Sequence, residues 1–279
     1  MSGFSAQWLD LREPVDHRSR NLELARRLAR HFEGWRPITV VDLGCGTGSN
    51  LRATAPLLGP DQHWTLVDYD PALLKAAGER LVAWADGADR QEGRLVLFKG
   101  AKRLHVEFRR ADIAGDLDGA LGPGSNLVTA SAFFDLVSAD FIARFASAIA
   151  QRKAAFYTVL TYDGDQRWTP EHAADAAMAE AFHAHQARDK GFGAAAGPGA
   201  PDALGEAFTG ARYSVAEADS AWRLGETDAA LIADLARGFA EAVRETGSFE
   251  AQIIHDWCRA ERTAAVVGHT DTLALPAAG

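Results

Sequence analysis

The chain alternates short runs of apolar, often β-branched residues with longer stretches in which apolar residues recur at helical spacing. The first run, at residues 38–43, has the composition of a strand that is buried in a parallel sheet. Seven strands are predicted in this way, at residues 38–43, 63–68, 95–108 (a hairpin or a split third strand), 126–130, 155–161, 213–218 and 264–274. Because strands alternate with helices, we expect an α/β fold with a doubly wound, mostly parallel seven-stranded sheet and helices on both faces.

Helical spacing predicts the elements between these strands. Residues 16–32 carry apolar positions at this spacing, and Gly34 and Pro37 end that helix. A second helix follows the first strand and runs to Leu57, and Pro71 opens the next one. Beyond the fifth strand, helices are predicted at residues 170–188, 203–208, 228–245 and 249–262, and a flexible glycine-, alanine- and proline-rich stretch at 191–201.

The order of these elements predicts a single domain over residues 1–279, since neither an internal repeat nor a clean linker divides it. It comprises an N-terminal helical cap at 1–35, an α/β core at 36–165, and helical insertions at 170–201 and 225–262. The insertions follow the fifth strand and lie between the last two strands, where active-site lids are usually grafted. We therefore expect them to form a cap over the substrate.

The composition predicts a folded protein of the cytoplasm. Hydrophobic residues make up 47% of the chain and charged residues 24%, which is enough apolar surface for a full core. No stretch approaches the ~18 consecutive apolar residues of a membrane span, and the first residues lack the features of a signal peptide. The two cysteines, Cys45 and Cys258, are too few for a disulfide framework, and no Cys/His spacing predicts a zinc site.

The net charge of −9 argues against a nucleic-acid partner, because non-specific affinity for nucleic acid comes from neutralised phosphates. Basic residues do cluster between positions 99 and 110, which fits either a basic groove or a solvated hairpin with basic tips. The hairpin is the simpler explanation. We therefore expect a small-molecule substrate, no nucleic acid, no membrane, and a monomer or a homodimer.

The first strand leads directly into a Gly-x-Gly-x-Gly turn at a helix start, formed by Gly44, Cys45, Gly46 and Gly48. Glycines let the backbone bend sharply and approach a ligand where a Cβ would clash. A dinucleotide fold instead uses Gly-x-Gly-x-x-Gly, which seats a pyrophosphate at the helix N-terminus. Here Asp42 stands two residues before the first glycine, where its charge would repel a phosphate but not an ammonium group. The turn therefore points away from NAD.

Two further acidic residues follow the next predicted strands. Asp68 ends the second strand, where a carboxylate can accept hydrogen bonds from both hydroxyl groups of a ribose. Asp112 follows the third strand and can accept a hydrogen bond from the exocyclic amine of adenine, while the Ile113 amide faces a ring nitrogen. Together with the glycine turn they predict a site for an adenosine-containing ligand, so residues 36–165 are expected to be a nucleotide-binding core.

These three elements resemble the class I S-adenosylmethionine-dependent methyltransferase family, which is Rossmann-like, over residues 40–161. The resemblance implies S-adenosylmethionine as the cofactor and S-adenosylhomocysteine as the product, with no metal. Asp42 would orient the cofactor's amino group, Asp68 would bind its ribose, and Tyr69 would lie against its purine. The residues expected at the cofactor are Arg18, Asp42, Gly44, Cys45, Gly46, Gly48, Asp68, Tyr69, Asp112, Ile113 and Ser131.

Arg18 joins this set because N-terminal helices of the family often fold over the cofactor. An arginine there can pair bidentately with the cofactor's carboxylate. Arg12 also precedes the first strand, and an ordinary solvated arginine is the alternative for both residues, at least as much for Arg12 as for Arg18.

The candidate catalytic residues are Asp135 and Tyr162. Asp135 comes just after the fourth strand, where many small-molecule methyltransferases have a histidine, but it also suits the N-cap of a helix that starts near Ser138. Tyr162 follows the fifth strand and should open on the cleft; the alternative is an ordinary turn, because Tyr162 to Asp165 is good turn sequence. One of His183 and His185 is a further candidate proton acceptor, although an ordinary surface or core histidine is the simpler explanation for each. Because the two residues alternate, they should point to different faces of their helix.

The expected reaction is O- or N-methylation of a small molecule by in-line displacement at the sulfonium methyl. The donor is already activated, so a base is needed only for an acceptor that keeps its proton near neutral pH. The alternatives within the fold are an aminopropyltransferase, for which Asp163 and Asp165 are a weak acidic pair, and a non-catalytic binding module. An amino-methylating nucleic-acid enzyme is disfavoured, because Ser-Ala-Phe-Phe follows the fourth strand instead of an Asn/Asp-Pro-Pro-Tyr motif.

Overall fold

A computed structural model describes residues 4–91 and 94–277 and shows a mixed α/β fold built on one twisted sheet. Ten strands of the described residues join this sheet, in the order β3-β4-β5-β2-β1-β6-β7-β10-β8, with β9 paired to β10. The strands are β1 Ile38–Leu43, β2 Asp61–Asp68, β3 Gly87–Gln91, β4 Arg94–Lys99, β5 Lys102–Arg110, β6 Leu127–Ser131, β7 Ala155–Thr169, β8 Tyr213–Asp219, β9 Trp222–Leu224 and β10 Ala264–Pro276.

The centre of the sheet is parallel, and its strand order reverses between β1 and β6. All four pairings among β5, β2, β1, β6 and β7 are parallel. Ligands of doubly wound sheets bind at such a reversal, outside the carboxyl ends of the strands. The predicted α/β class with a mostly parallel central sheet is confirmed.

The predicted number of seven strands is wrong. The split third strand is a complete antiparallel hairpin of β4 and β5, and β3 adds a further edge strand to it. The short β9 pairs with β10 at the other edge. β3 and β9 escaped the pattern because one is polar and the other has only three residues, so neither has a run of apolar positions.

Helices cover both faces of the sheet. Val40 of β1 packs in one core and its neighbour Val41 in the other, as the alternation of side chains along a strand requires. The helices are α1 Ala6–Ser19, α2 Leu22–His31, α3 Ser49–Thr54, α4 Pro71–Trp84, α5 Leu117–Leu121, α6 Ala139–Arg152, α7 Asp175–Gln186, α8 Ala200–Gly210, α9 Ala229–Thr246 and α10 Ala251–Arg259. Among the described residues, no helix is both long enough and apolar enough to span a bilayer.

Two predicted helix boundaries need correction. The single helix expected at residues 16–32 is broken between α1 and α2, because Asn21 caps α2 with its side chain and donates its backbone N–H to Asp271 Oδ2 (2.8 Å). The helix expected from Pro170 begins only at Asp175, since β7 continues to Thr169. Both differences arise from partners that are distant in the sequence.

The long strands β7 and β10 form an antiparallel ribbon that passes beyond the carboxyl edge of the parallel strands. Only residues 155–159 of β7 pair with β6, whereas the pairing with β10 continues to Thr169. Tyr162 lies in register with His269 on the extended part. The ribbon therefore brings side chains of both strands to the edge where the glycine turn lies.

The segments expected to be insertions pack against each other and against this ribbon. Phe182 of α7 stacks on Phe239 of α9, with ring centroids 3.8 Å apart. Trp168 of β7 meets Trp257 of α10 edge-on at 5.3 Å. The domain boundaries and the role of these segments as a substrate cap stay predictions.

Candidate functional site

The turn between β1 and α3 has a shape that only glycine adopts readily. Gly44, Gly46 and Gly48 have φ values of +61°, +52° and +77°. A Cβ on Gly44 would lie 2.8 Å from a ring carbon of Phe133, and one on Gly46 would lie 3.0 Å from a methyl group of Leu9. The turn is thus closely approached both by the segment after β6 and by α1.

Asp68 ties this turn to the end of β2. Its Oδ2 accepts a hydrogen bond from Gly46 N at 2.9 Å, and its Oδ1 accepts one from Asp70 N at 3.0 Å. The side chain is half-buried, and burial raises its pKa above the ordinary range. Because a carboxylate oxygen can accept two hydrogen bonds, each oxygen retains capacity for a ligand hydroxyl.

Asp42 is a buried carboxyl beneath the same turn. Its Oδ1 accepts a hydrogen bond from Asn50 Nδ2 at 2.6 Å, while its Oδ2 has no partner within the described part of the chain. Burial raises its pKa to about 7, against the opposing effects of Asn50 and Arg20. Asn50 in turn accepts from Arg20 Nη2 at 2.9 Å. The sequence reasoning missed Asn50 and Arg20; the position of Asn50, just after the glycine turn, was the available signal.

The residues expected at the adenine end lie on the neighbouring strand ends. Tyr69, which follows β2, is 54% exposed, and the Arg110 guanidinium lies 5.4 Å from its ring centroid. Asp112, which follows β5, is exposed and accepts a hydrogen bond from Ala114 N at 3.1 Å, whereas Ile113 is buried. Ser131 ends β6 on the other side of β1. The fold therefore gathers the predicted positions along one edge, although their roles toward a cofactor stay predictions.

Asp135 does not cap a helix, so that interpretation is wrong. The N-cap of α6 is Ser138, whose Oγ accepts from Phe141 N at 3.1 Å. Asp135 lies instead in a short 3-10 turn and is 7% exposed, and its Oδ1 has no hydrogen-bond partner among the residues described. Burial raises its pKa to about 6, with the charge of Arg12 acting in the opposite direction.

Tyr162 lies within β7 and not in a turn, because the strand runs on to Thr169. Its phenol oxygen lies 2.8 Å from His183 Nε2 and also accepts a hydrogen bond from Gln166. Burial raises the pKa of Tyr162 and lowers that of His183, so the phenol is protonated and the imidazole is neutral at pH 7. His185 pairs with Glu245 at 2.8 Å, which agrees with the expectation that the two histidines face different directions.

Arg12 is buried close to Asp135, whereas the sequence did not decide between a buried and a solvated position for it. Its Nε donates to Asp16 Oδ2 at 2.8 Å, and its guanidinium carbon lies 4.9 Å from the Trp222 ring centroid. Arg18, which was expected to meet the cofactor's carboxylate, pairs with Asp228 at 2.6 Å. Its role at the cofactor stays a prediction.

His269, Trp222 and Asp16 complete a buried polar cluster that the sequence reasoning missed. Trp222 Nε1 donates to Asp16 Oδ1 at 3.1 Å, and the His269 ring lies 5.2 Å from Trp222 and 6.2 Å from Tyr162. Burial, assisted by the charge of Arg12, lowers the pKa of His269 to about 3. These residues come from α1, β9 and β10, so no local sequence signal connects them.

No family model matches the chain, and no curated relative matches its sequence. Among solved structures, the chain is similar to a cyclopropane-fatty-acyl-phospholipid synthase-like protein from Lactobacillus casei, with a TM-score of 0.55 and 14% identity, covering 98% of this chain and 95% of that chain. It is also similar to a candidate methyltransferase from Bacillus halodurans (TM-score 0.51, 12% identity, 92% of this chain and 100% of that chain). A third similar structure is the YcgJ protein of Bacillus subtilis (TM-score 0.50, 11% identity, 93% of this chain and 100% of that chain).

Identities this low show the fold alone. That fold is the Rossmann-like fold of the class I S-adenosylmethionine-dependent methyltransferases, so the resemblance seen in the sequence is confirmed at the level of the fold.

Proposed function

We propose that this chain is an S-adenosylmethionine-dependent methyltransferase that methylates an oxygen or nitrogen atom of a small molecule. The observation that carries the proposal is the hydrogen bond from Gly46 N to Asp68 Oδ2, which joins the turn after β1 to the end of β2, next to the reversal of strand order. It holds a glycine turn and a partly open carboxylate side by side, which is the arrangement that an adenosine-containing ligand requires.

The residues present fit S-adenosylmethionine. The unpartnered Oδ2 of Asp42 is an acceptor suited to an ammonium group, and the half-buried Asp68 suits ribose hydroxyls. The exposed Tyr69 ring and the Asp112 carboxylate would hold the adenine. When bound, the cofactor supplies a methyl group that the positive sulfur has already activated.

The chain's own contribution to the reaction would come from Asp135 and Tyr162. Asp135, with a pKa of about 6, is mostly ionised at pH 7, and its unpartnered oxygen can accept the proton of an alcohol or an ammonium group. The protonated phenol of Tyr162, held by His183 and Gln166, can orient such an acceptor by a hydrogen bond. Both residues would place the acceptor, and Asp135 would take its proton.

The segments 170–201 and 225–262 would enclose the acceptor as a cap. Phe192 packs edge-on against Phe133 at 5.7 Å, and Phe133 itself lies against the glycine turn. Phe182 of α7 meets the ring of Tyr162 edge-on at 6.2 Å. Apolar walls around the reacting atoms exclude water and strengthen the charge interactions at the site.

Calorimetric titration tests the proposal with S-adenosylhomocysteine and NAD as separate ligands. We expect the wild-type protein to bind S-adenosylhomocysteine and not NAD. Gly46→Ala should weaken that binding by about tenfold or more, because a Cβ would displace Leu9 and force an unfavourable φ at the closest approach of the backbone to the ligand.

Gly100→Ala is the matched control. Gly100 has nearly the same φ, +56°, but lies at the tip of the β4–β5 hairpin with open space around it. Both variants should lose about 1–2 kcal/mol of stability from the backbone conformation, and only Gly46→Ala should lose ligand affinity. Tight NAD binding without a response to S-adenosylhomocysteine would contradict the proposal. If the two variants changed the affinity equally, the glycine turn would not be part of the ligand-binding site.

A further inference from the structure

Asp61, His63 and His105 form a cluster toward the amino ends of β2 and β5, away from the candidate active site. One ligand atom from each side chain lies within 4.8 Å of the other two. His63 and His105 are directly paired across the two strands, with ring centroids 4.8 Å apart. Asp61 lies two residues before His63 and so projects from the same face of the sheet.

These three side chains are half-buried and have no competing partners. Within residues 4–91 and 94–277, none of them makes a side-chain hydrogen bond or an ion pair. Their imidazole nitrogens and carboxylate oxygens are therefore available to a metal ion that binds such donors.

The donor atoms lie close enough together that a small rotation of the side chains would place them around a tetrahedral ion. Zinc binds imidazole nitrogen and carboxylate oxygen at about 2.0–2.2 Å, so neighbouring donors in a tetrahedral site are about 3.4 Å apart. Rotation of the side chains by roughly 1 Å at their tips closes the present separations. Because His63 and Asp61 lie on one strand and His105 on the next, the backbone that carries the ligands is already rigid.

The nearby positive charges of two arginines would repel a cation, but within the described ranges neither arginine forms an ion pair with the proposed ligands. Arg103 of β5 lies opposite Asp61 and is exposed, and Arg94 at the start of the neighbouring β4 is exposed as well. Neither arginine forms an ion pair with Asp61 in the described part of the chain. Their exposed side chains can turn toward solvent, which screens their charge.

We propose that Asp61, His63 and His105 bind a divalent transition-metal ion of the zinc type, which fastens β2 to β5 at their amino ends. The site is structural and independent of methyl transfer. His63 is five residues before Asp68 on the same strand, or about 17 Å at roughly 3.3 Å per residue, so the ion would not reach the cofactor.

The full chain, stripped with EDTA and dialysed, is titrated with Zn²⁺ by calorimetry and with Co²⁺ by visible absorption. We expect one ion per chain, a rise in Tm with Zn²⁺, and Co²⁺ bands without thiolate charge transfer. His105→Asn should weaken zinc binding by about 100-fold or more, since removing even an outer partner of a ligand typically costs about 10–100-fold. His255→Asn changes an exposed histidine on α10 and serves as the matched control, with unchanged binding.

Circular dichroism checks that each variant folds, and Asp61→Asn provides a milder second variant. Absence of stoichiometric binding to the wild type would overturn the proposal. So would zinc binding that survives both His63→Asn and His105→Asn, or thiolate bands that place the ion on a cysteine. Affinity for S-adenosylhomocysteine should be the same with and without zinc, so failure of the metal site is distinguishable from failure of the proposed function.

Discussion

Replacing Asp42 with asparagine should make the protein more stable above neutral pH and at the same time weaken its cofactor site. Asp42 is fully buried, and burial raises its pKa to about 7, whereas an unfolded chain has the ordinary value of about 3.9. The folded state therefore keeps the proton to a higher pH than the unfolded state does. The stability that this protonated Asp42 contributes is fully present below pH ~4 and is lost as the pH rises through about 7.

The magnitude follows from the difference between the two pKa values. About three pH units at about 1.4 kcal/mol per unit give a ceiling of about 4 kcal/mol, of which roughly 2–3 kcal/mol falls between pH 5 and pH 8. Asparagine has nearly the same shape, is neutral at every pH, and keeps an oxygen that can accept the 2.6 Å hydrogen bond from Asn50. When the pH rises from 5 to 8, the free energy of unfolding of Asp42→Asn should therefore increase by about 2–3 kcal/mol relative to that of the wild type.

Urea unfolding of both proteins at pH 5 and pH 8 measures this gain. Other buried carboxyls whose pKa is raised, Asp16, Asp135 and Asp271, are present in both proteins and cancel in the difference. The charge of the half-buried Asp68 also raises the pKa of Asp42 and so contributes to the gain. The exposed Asp140→Asn is the control and should show no such gain. A variant less stable than the wild type at pH 8 would refute the reasoning, because it would mean that Arg20 keeps Asp42 ionised in the folded state.

The same substitution should reduce affinity for S-adenosylhomocysteine by about tenfold or more at pH 8, since the ammonium group loses a charged acceptor. Stabilisation together with weaker binding is the signature of a buried charge that serves a ligand. If the affinity of Asp42→Asn for S-adenosylhomocysteine were unchanged at both pH 5 and pH 8, Asp42 would not be the residue that binds the ammonium group.

Three further results are expected. Asp68→Ala should weaken binding of S-adenosylhomocysteine by about 1–3 kcal/mol in calorimetry with the fold intact, and an unchanged Kd would show that the ribose is held elsewhere. Phe208→Ala should lower the free energy of unfolding by about 3–5 kcal/mol, because Phe208 is fully buried and stacks on Phe156 at 4.8 Å; a loss below about 1 kcal/mol in urea unfolding would show that the ring is not part of the core. Because Asp135 is protonated below its pKa of about 6, kcat for an alcohol or amine acceptor should rise with pH through about 6, and Asp135→Asn should abolish that rise; a variant with the same profile would exclude Asp135 as the base.

The sequence by itself determined the central part of the fold and the residues that lie at the carboxyl edge of the parallel strands. The signals there are local: a buried strand, then glycines whose positive φ values few other residues adopt, then a carboxylate at the end of the next strand. Parallel strands place their carboxyl ends together, so Asp68, Asp112 and Ser131 could be assigned to one edge without knowing any contact between them. The structure agrees with this placement, although it leaves their roles to experiment.

Only the tertiary structure decided where the helices and strands end and which side chains surround Asp135 and Tyr162. The break between α1 and α2 depends on Asn21 donating to Asp271, a residue near the other end of the chain. Whether Asp135 caps α6 could not be decided from capping preferences, because aspartate and serine are both favoured N-cap residues. The structure shows that Ser138 is the N-cap.

The cluster of Arg12, Asp16, Trp222, His269 and Tyr162 shows the physical reason most clearly. Its members lie on α1, β9, β10 and β7, and their contacts follow from the register of the long ribbon and the packing of α1 across it. Periodicity and turn chemistry describe interactions over a few residues, whereas register and packing depend on the free energy of the whole fold. Side chains that meet only through such long-range pairing carry no mark of it in the sequence.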